Sequence, residues 1–327
     1  MLHADPFAVR ELLGPRAALS RRAITGEQGV SLPPFIDHHV HLHLVDETRL
    51  AAGGIAGVVD LGGDPVDLAR RPKTGIPRVA YAGAFLTAPG GYPAAQPWAP
   101  DEIVRGVTDP STHPGVRGGA ATVVDEQASF GASVVKLALN ADFGPVFDAA
   151  TLAAVVASAR ERRLPVVAHV EGAGMALLAL DAGVDVLAHT PFTETLDLEL
   201  VRRAAGAGQR WISTLDIHRD EPAAQHASRA NLGAFVAAGG VVLYGTDLGN
   251  GDLPVGVNSR ELEALHAVGL RGSALIDALT DPWPGSADSS AVATFVPGDA
   301  PTTLEDVPAW LGAAVVVPTE ELVHDDH

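Results

Sequence analysis

The chain contains no cysteine. A disulfide framework is therefore excluded, and any bound metal has to be held by nitrogen and oxygen ligands, which leaves zinc, manganese and iron open. Basic residues are few: 22 Lys plus Arg stand against 40 Asp plus Glu, a formal charge of −18. Such a balance argues against nucleic acid and against an anionic membrane as partners. No stretch reaches the roughly eighteen consecutive apolar residues of a membrane span, and Met1 to Arg22 lacks the basic segment, apolar core and small-residue cleavage site of a secretory leader. A cytoplasmic protein is the expectation. Also missing is a Gly-x-Gly-x-x-Gly after an early strand, which counts against a doubly wound dinucleotide-binding sheet; Gly62-Gly63 is too little to stand in for it.

With 47% hydrophobic and 19% charged residues over 327 positions, the chain can bury a sizeable core, as one large α/β domain with small appendages or as two domains. From Pro33 onward short apolar runs alternate with stretches of helical period. Strands are expected near 34–41, 55–61, 78–85, 133–139, 165–170, 184–189, 210–214 and 241–246, and helices near 65–71, 118–130, 148–162, 173–182, 194–206, 222–238, 258–268 and 271–280. Strands that are nearly all apolar and alternate with helices imply a parallel sheet covered on both faces. Eight such units over roughly 250 residues predict a (β/α)8 TIM barrel, here spanning 33–285. Residues 1–32 and 286–327 are expected to form a reduced β-sandwich-like appendage and tails. Within it, Val9 to Leu19 reads as a short helix interrupted by Gly14-Pro15, and Gly26 to Leu32, Ala291 to Val296 and Ala313 to Val317 read as strands. The acidic end, Glu320 to His327, reads as frayed, with His324 and His327 as incidental metal contacts at most.

One stretch stands out: Phe35-Ile36-Asp37-His38-His39-Val40-His41. Its period of two points Asp37, His39 and His41 to one side of a buried strand. The competing reading, a polar strand end with unpaired histidines, leaves two buried imidazoles uncompensated. Barrel sites form at the C-terminal ends of strands, and other strand ends carry Lys136, His169, His189 and Asp247. Taken singly each has a structural explanation: a core histidine, a snorkelling lysine, a helix cap. Their joint placement points to a metal centre. Thr87 to His113, rich in Pro and Gly, reads as a long irregular loop after the third strand. It either brings Tyr92 and Trp98 to a substrate or is a solvent-exposed insertion.

Asp37-His38-His39-Val40-His41, Lys136, His169, the Gly183-to-Thr190 segment that contains His189, and Gly245-Thr246-Asp247 together resemble the metal-dependent amidohydrolase superfamily, and within it the imidazolonepropionase-like branch, which includes cyclic-amide hydrolases and metallo-dipeptidases. The resemblance covers about residues 33 to 280, including Ser259 to Leu270. It implies one or two divalent ions, zinc first, with His39 and His41 on the more buried ion. A carboxylated Lys136 would bridge to a second ion held by His169 and His189, and Asp247 would bind metal and shuttle protons as catalytic residue. The implied reaction is cleavage of a carbon–nitrogen bond in an amide, a cyclic amide or a dipeptide by metal-activated hydroxide. A deaminase or a lactone or ester hydrolase would use the same site, and a non-catalytic binding barrel is the reading from another class. The implied partner is a small-molecule substrate, with a homo-oligomer as an allowed assembly. Pro34-Phe35 replaces the usual glycine before the motif, and Val296 to Asp299 is a degenerate form of the family's C-terminal run. For the pocket, His43, Tyr92, Trp98, Asn140, Phe143, Phe192, His218 and Asn250 are the candidate substrate contacts, His218 with a surface position as its equal alternative. His38 is expected to face outward, and Asp37 to orient a histidine.

Overall fold

The computed structural model describes residues 5–72, 74–285 and 291–324. The chain opens with α1 (Pro6–Leu13), β1 (Ala18–Arg22) and β2 (Gln28–Leu32). Three parallel strands follow, β3 (Phe35–Val40), β4 (Ile55–Asp60) and β5 (Arg78–Tyr81), with α2 (Pro65–Arg70) between the last two. Then come β6 (Phe85–Thr87), β7 (Val104–Gly106), α3 (Ala120–Ser129), β8 (Val135–Asn140), α4 (Ala149–Glu161) and β9 (Val166–Glu171). α5 (Met175–Asp181), β10 (Val186–Leu187), α6 (Leu198–Gly206), β11 (Arg210–Ile212), α7 (Pro222–Ala237) and β12 (Val241–Leu243) continue the alternation. The chain closes with α8 (Ser259–Ala267), α9 (Ser273–Thr280), β13 (Val292–Pro297), α10 (Val307–Leu311), β14 (Val315–Pro318) and β15 (Leu322–His324).

Helix starts follow local chemistry. Asp64, Asp148, Asp197 and Asn258 occupy N-caps, and each accepts a hydrogen bond from a backbone N–H of the first turn. Strands β4, β8 and most of β9 are buried along their length, as expected when helices cover a parallel sheet.

The parallel strands form a seven-stranded sheet in the order β12-β11-β10-β9-β8-β6-β7 and a three-stranded sheet β3-β4-β5. Backbone hydrogen bonds tie the two at both margins. At one, His38 N donates to Tyr244 O at 3.0 Å and Leu248 N to His39 O at 3.2 Å; at the other, Ser133 N donates to Tyr81 O at 2.8 Å. Residues from both sheets, among them Val59, Leu61, Val167, Ala188, Ile212 and Leu243, pack into one buried cluster. A larger cluster joins strands to helices. In it Trp211 of β11 lies flat on Phe235 of α7, with ring centroids 3.9 Å apart and planes at 4°.

The segment expected as one strand over 78–85 is two. Gly83 sits at φ +78°, where a Cβ would come within 2.3 Å of Gln127 Oε1, and Ala84 N donates to that same oxygen at 2.9 Å. The chain bends there from β5 in one sheet to β6 in the other. The Thr87 to His113 segment is also less irregular than expected, since it contains β7, paired with β6.

Both chain ends build a third sheet, five-stranded and antiparallel, in the order β14-β13-β2-β1-β15. Part of the end expected as frayed, Leu322–His324, is its edge: β15 pairs with β1, and Ser20 Oγ lies 3.0 Å from His324 Nδ1. His327 lies outside the described residues, as do residues 286–290 before β13. Among the described residues no helix is long and apolar enough to cross a membrane.

Because Trp211 and Phe235 are both fully buried, Phe235→Ala is expected to lower unfolding stability by about 3–5 kcal/mol. Urea denaturation monitored by tryptophan fluorescence measures this, and a loss under about 1 kcal/mol would show that the neighbouring helices close over the gap.

Candidate metal centre

Strand β3 runs into the site with its alternation intact. His39 and His41 face inward, and each is oriented by a backbone carbonyl: His39 Nδ1 lies 2.8 Å from Ala188 O and His41 Nδ1 3.1 Å from Gly62 O. Carbonyls only accept, so both Nδ1 atoms carry a proton and both Nε2 atoms face the site. Asp247 meets them: its Oδ1 is 3.1 Å from His39 Nε2 and 3.3 Å from His41 Nε2. The ligand atoms of these three buried residues lie within 4.8 Å of one another.

Asp247 is held there at a conformational cost. Its φ is +58°, unusual for a residue other than glycine. Gly245, two residues earlier, leaves no room for a side chain, since a Cβ would stand 2.3 Å from Ile212 Cγ2 and 3.2 Å from His39 N. Asn250 Nδ2 donates to Asp247 Oδ2 at 2.8 Å. Asp37 completes the arrangement by accepting from His39 N at 3.1 Å, Thr246 N at 3.0 Å and Thr246 Oγ1 at 2.6 Å. Its work is on the backbone of His39 and on Thr246, rather than on an imidazole as the sequence suggested.

Two more histidines extend the row. Ring centroids of His39 and His189 are 4.6 Å apart and those of His189 and His169 5.0 Å. His189 Nδ1 lies 2.9 Å from Thr214 Oγ1. His169 Nε2 lies 2.9 Å from Glu171 Oε2, which also accepts from Asn140 Nδ2 at 2.7 Å. Lys136 is buried in the same floor, with Nζ 5.6 Å from the Phe85 ring centroid, and among the described residues it makes no ion pair.

Burial dominates the electrostatics. It drives His39 and His189 well below the ordinary histidine value, so both are neutral at physiological pH, the state that can bind metal. It brings the Lys136 ammonium down to about 7. For Asp247 burial works upward, but His39, the His41 hydrogen bond and His189 outweigh it and hold the carboxyl well below its usual range. His39 Nε2 is buried without a hydrogen-bond partner. An unpaired buried nitrogen in a set of nitrogen and oxygen donors fits a divalent cation.

These groups form the floor of a cavity of roughly 820 Å³. Tyr92, Trp98, Phe143, Phe192, His218 and Asn250 line it as the sequence suggested. Two expected contacts do not. His43 is exposed, because β3 gives way to a 3-10 turn at Leu42–Leu44 that breaks the alternation. Asn140 is buried, its amide committed to Glu171. His38 faces away from the site toward the helix layer, the first of the two places expected, and is fully buried there, with Nδ1 2.8 Å from Tyr244 O and Nε2 3.0 Å from Asp281 O at the end of α9. Glu171, Phe85, Arg219, Glu221 and Asp252 also line the cavity and were not singled out from sequence. Glu171 had a signal, since it lies two residues after His169 on the same strand face.

The turn after β11, which carries Thr214 and His218, is clamped from α8. Asp216 accepts from Arg260 Nε at 3.0 Å and from Asn258 Nδ2 at 2.8 Å, and Asp216 N donates to Glu261 Oε2 at 2.7 Å. Glu261 is fully buried, which pushes its carboxyl up to about 7.

No protein-family model and no curated protein matches the chain. Solved structures do. A Xaa-Pro dipeptidase with methionine bound in its active site superposes with TM-score 0.69 at 18% identity, over 90% of this chain and 86% of the other. A. niger ochratoxinase gives 0.69 at 19%, over 90% and 83%. Phenylurea hydrolase B gives 0.68 at 16%, over 90% and 85%. The likeness is one of fold, and it agrees with the amidohydrolase resemblance read from the motifs.

Glu261 generates a prediction. A carboxyl raised from 4.5 in the open chain to about 7 when folded stabilises the protein fully below the lower value, and that contribution is lost as pH rises through 7. Glu261→Gln does not ionise. Its stability relative to the parent is therefore expected to improve by up to about 3 kcal/mol between pH 4.5 and pH 8. Urea unfolding across that range reads it, and a flat difference would exclude the shifted carboxyl.

Proposed function

We propose that the parallel strands close into a (β/α)8 barrel whose C-terminal mouth holds one or two divalent ions, and that the protein is a hydrolase cleaving a carbon–nitrogen bond of an amide, cyclic amide or dipeptide. One observation carries the reading: His39, His41, Lys136, His169, His189 and Asp247, carried by five parallel strands or the residues just after them, line one buried floor that opens to a single cavity. The names of its structural neighbours, a dipeptidase and a phenylurea hydrolase among them, support the bond class.

His39, His41 and Asp247 would hold one ion, most naturally zinc given three nitrogen and oxygen donors this close together. His169 and His189 would hold a second. When bound, such ions supply Lewis acidity, easing the ionisation of water and polarising a carbonyl. The chain does the rest. Backbone carbonyls of Ala188 and Gly62 fix the tautomers of His39 and His41, so neither ring has to reorient. Lys136, with its ammonium brought down to about 7, presents a large neutral fraction at physiological pH. The neutral amine is the form that reacts with carbon dioxide, and a carboxylated Lys136 would face both pairs of histidines. Asp247 Oδ1, turned to the centre while Asn250 holds Oδ2, is placed to take a proton from the attacking water and return it to the leaving nitrogen. Tyr92, stacked on His169 with centroids 5.1 Å apart, closes one side of the floor against bulk water.

Lys136→Ala and His169→Ala are each expected to lower metal content, read by mass spectrometry of dialysed protein, while circular dichroism stays unchanged. Asp247→Asn is expected to reduce turnover of an amide or lactam panel by a factor of about 100 or more with the fold retained. Full metal occupancy and undiminished activity in Lys136→Ala would sink the bridging role.

A further inference from the structure

Aromatic side chains are scarce in this chain, at 5%, yet several of them gather at the cavity mouth. Tyr92 lies between Trp98 and Phe143, with ring centroids 6.0 Å and 6.4 Å away. Trp98 is 36% exposed and Phe143 60%. Large apolar faces left to solvent at the lip of a cavity mark a contact surface.

The charged groups that share the cavity lining with these rings are mostly acidic. Glu171, Asp220, Glu221 and Asp252 line the mouth, and among the described residues Arg219 is the one guanidinium there. Arg219 is already engaged: Nε is 3.4 Å from Asp220, Nη1 is 3.8 Å from Asp216, and Nη2 donates to the Asp252 carbonyl at 3.3 Å. A substrate carboxylate entering here meets an excess of negative charge and no uncommitted guanidinium. A cation meets three π faces and a favourable potential.

A separate observation points to a ligand in the same space. His218 lines the cavity at 5% exposure, and its Nε2 has no hydrogen-bond partner. Phe192 lies against its ring, with centroids 4.2 Å apart. A buried, unpartnered nitrogen on a residue that lines a cavity is one that a polar group entering the cavity could satisfy.

We propose that the cavity selects amides that carry a cationic group and no carboxylate, with an ammonium or guanidinium seated against Tyr92, Trp98 and Phe143 under the acidic rim and the amide end reaching His218 and the floor. The substrate class rests on the hydrolase reading above; the cation seat itself does not.

Three p-nitroanilides test it on the metal-loaded protein: γ-trimethylammoniobutyryl, its uncharged tert-butyl isostere and glutaryl. The cationic anilide is expected to exceed the glutaryl one in kcat/KM by about tenfold or more at low salt, with the gap narrowing as salt rises. The gap should also shrink in the paired variant Asp220→Asn with Asp252→Asn. Calorimetric titration with benzyltrimethylammonium and with phenylpropionate reads the seat without turnover. The cation should bind more tightly, and Trp98→Ala and, independently, the more exposed Phe143→Ala should weaken it. Equal or reversed preference among the anilides would overturn the substrate class and leave amide hydrolysis standing. Selective cation binding with no anilide turned over would keep the seat and remove the hydrolase reading. No preference for the cation in either measurement overturns the proposal.

Discussion

The site depends on one buried carboxylate. Asp37 sits on the first of the central parallel strands and accepts three hydrogen bonds, one from its own strand at His39 and two from Thr246, which follows the last. These bonds fasten together segments more than 200 residues apart in sequence. They also set the position of the residue after Thr246. Asp247 holds a positive φ beside two imidazoles, a placement that neither its backbone preference nor its burial favours. Strain of this kind persists when the surroundings over-determine it, and Asp37, Asn250 and the close approach at Gly245 do so. A cut hydrogen bond here would leave a buried polar atom short of a partner, which costs more than the bond itself contributes.

Around that fastening the molecule sorts its polar groups by depth. The floor is a row of imidazoles in which burial keeps His39 and His189 neutral, with ring orientations set by backbone carbonyls and by Thr214. The walls are aromatic. The rim is carboxylate and solvated. Each layer has a different dielectric environment, so the same residue types behave differently in each. Asp247 in the floor is governed by its histidine neighbours, while Asp220 and Asp252 at the rim act through the field they share.

Much of this was legible in the residues. Apolar runs broken by helical stretches predicted the strand order along the chain, because buried parallel strands tolerate few polar positions. Polar groups that did occur at strand ends were therefore conspicuous, and His39, His41, Lys136, His169, His189 and Asp247 all lie in the floor. What was not legible depended on where strands stop. Alternation carried past Val40 would aim His43 at the mouth, but the backbone turns there. Asn140 does follow the alternation, yet its amide is taken by Glu171, a pairing across strands that no local pattern encodes. The bend at Gly83 depends on Gln127, a contact 44 positions away. Rim residues such as Arg219 and Asp252 lie on loops, whose conformation is set by partners rather than by period. His324 joins a sheet because β1 offers it an edge, and an acidic end reads as frayed until that edge is known.

The five-stranded sheet at the chain ends interleaves the two termini: β2 and β1 lie between β13 on one side and β15 on the other. During synthesis on the ribosome the amino-terminal pair emerges long before either flanking strand exists. Their edges stay open through translation of the whole central region, and pairing over such a separation is slow. A two-stranded ribbon is marginal alone, so this sheet sets only once β13 and β15 are available to pair. Its closure waits on strands made far apart in time, and a chain stalled short of β13 carries an open, adhesive edge.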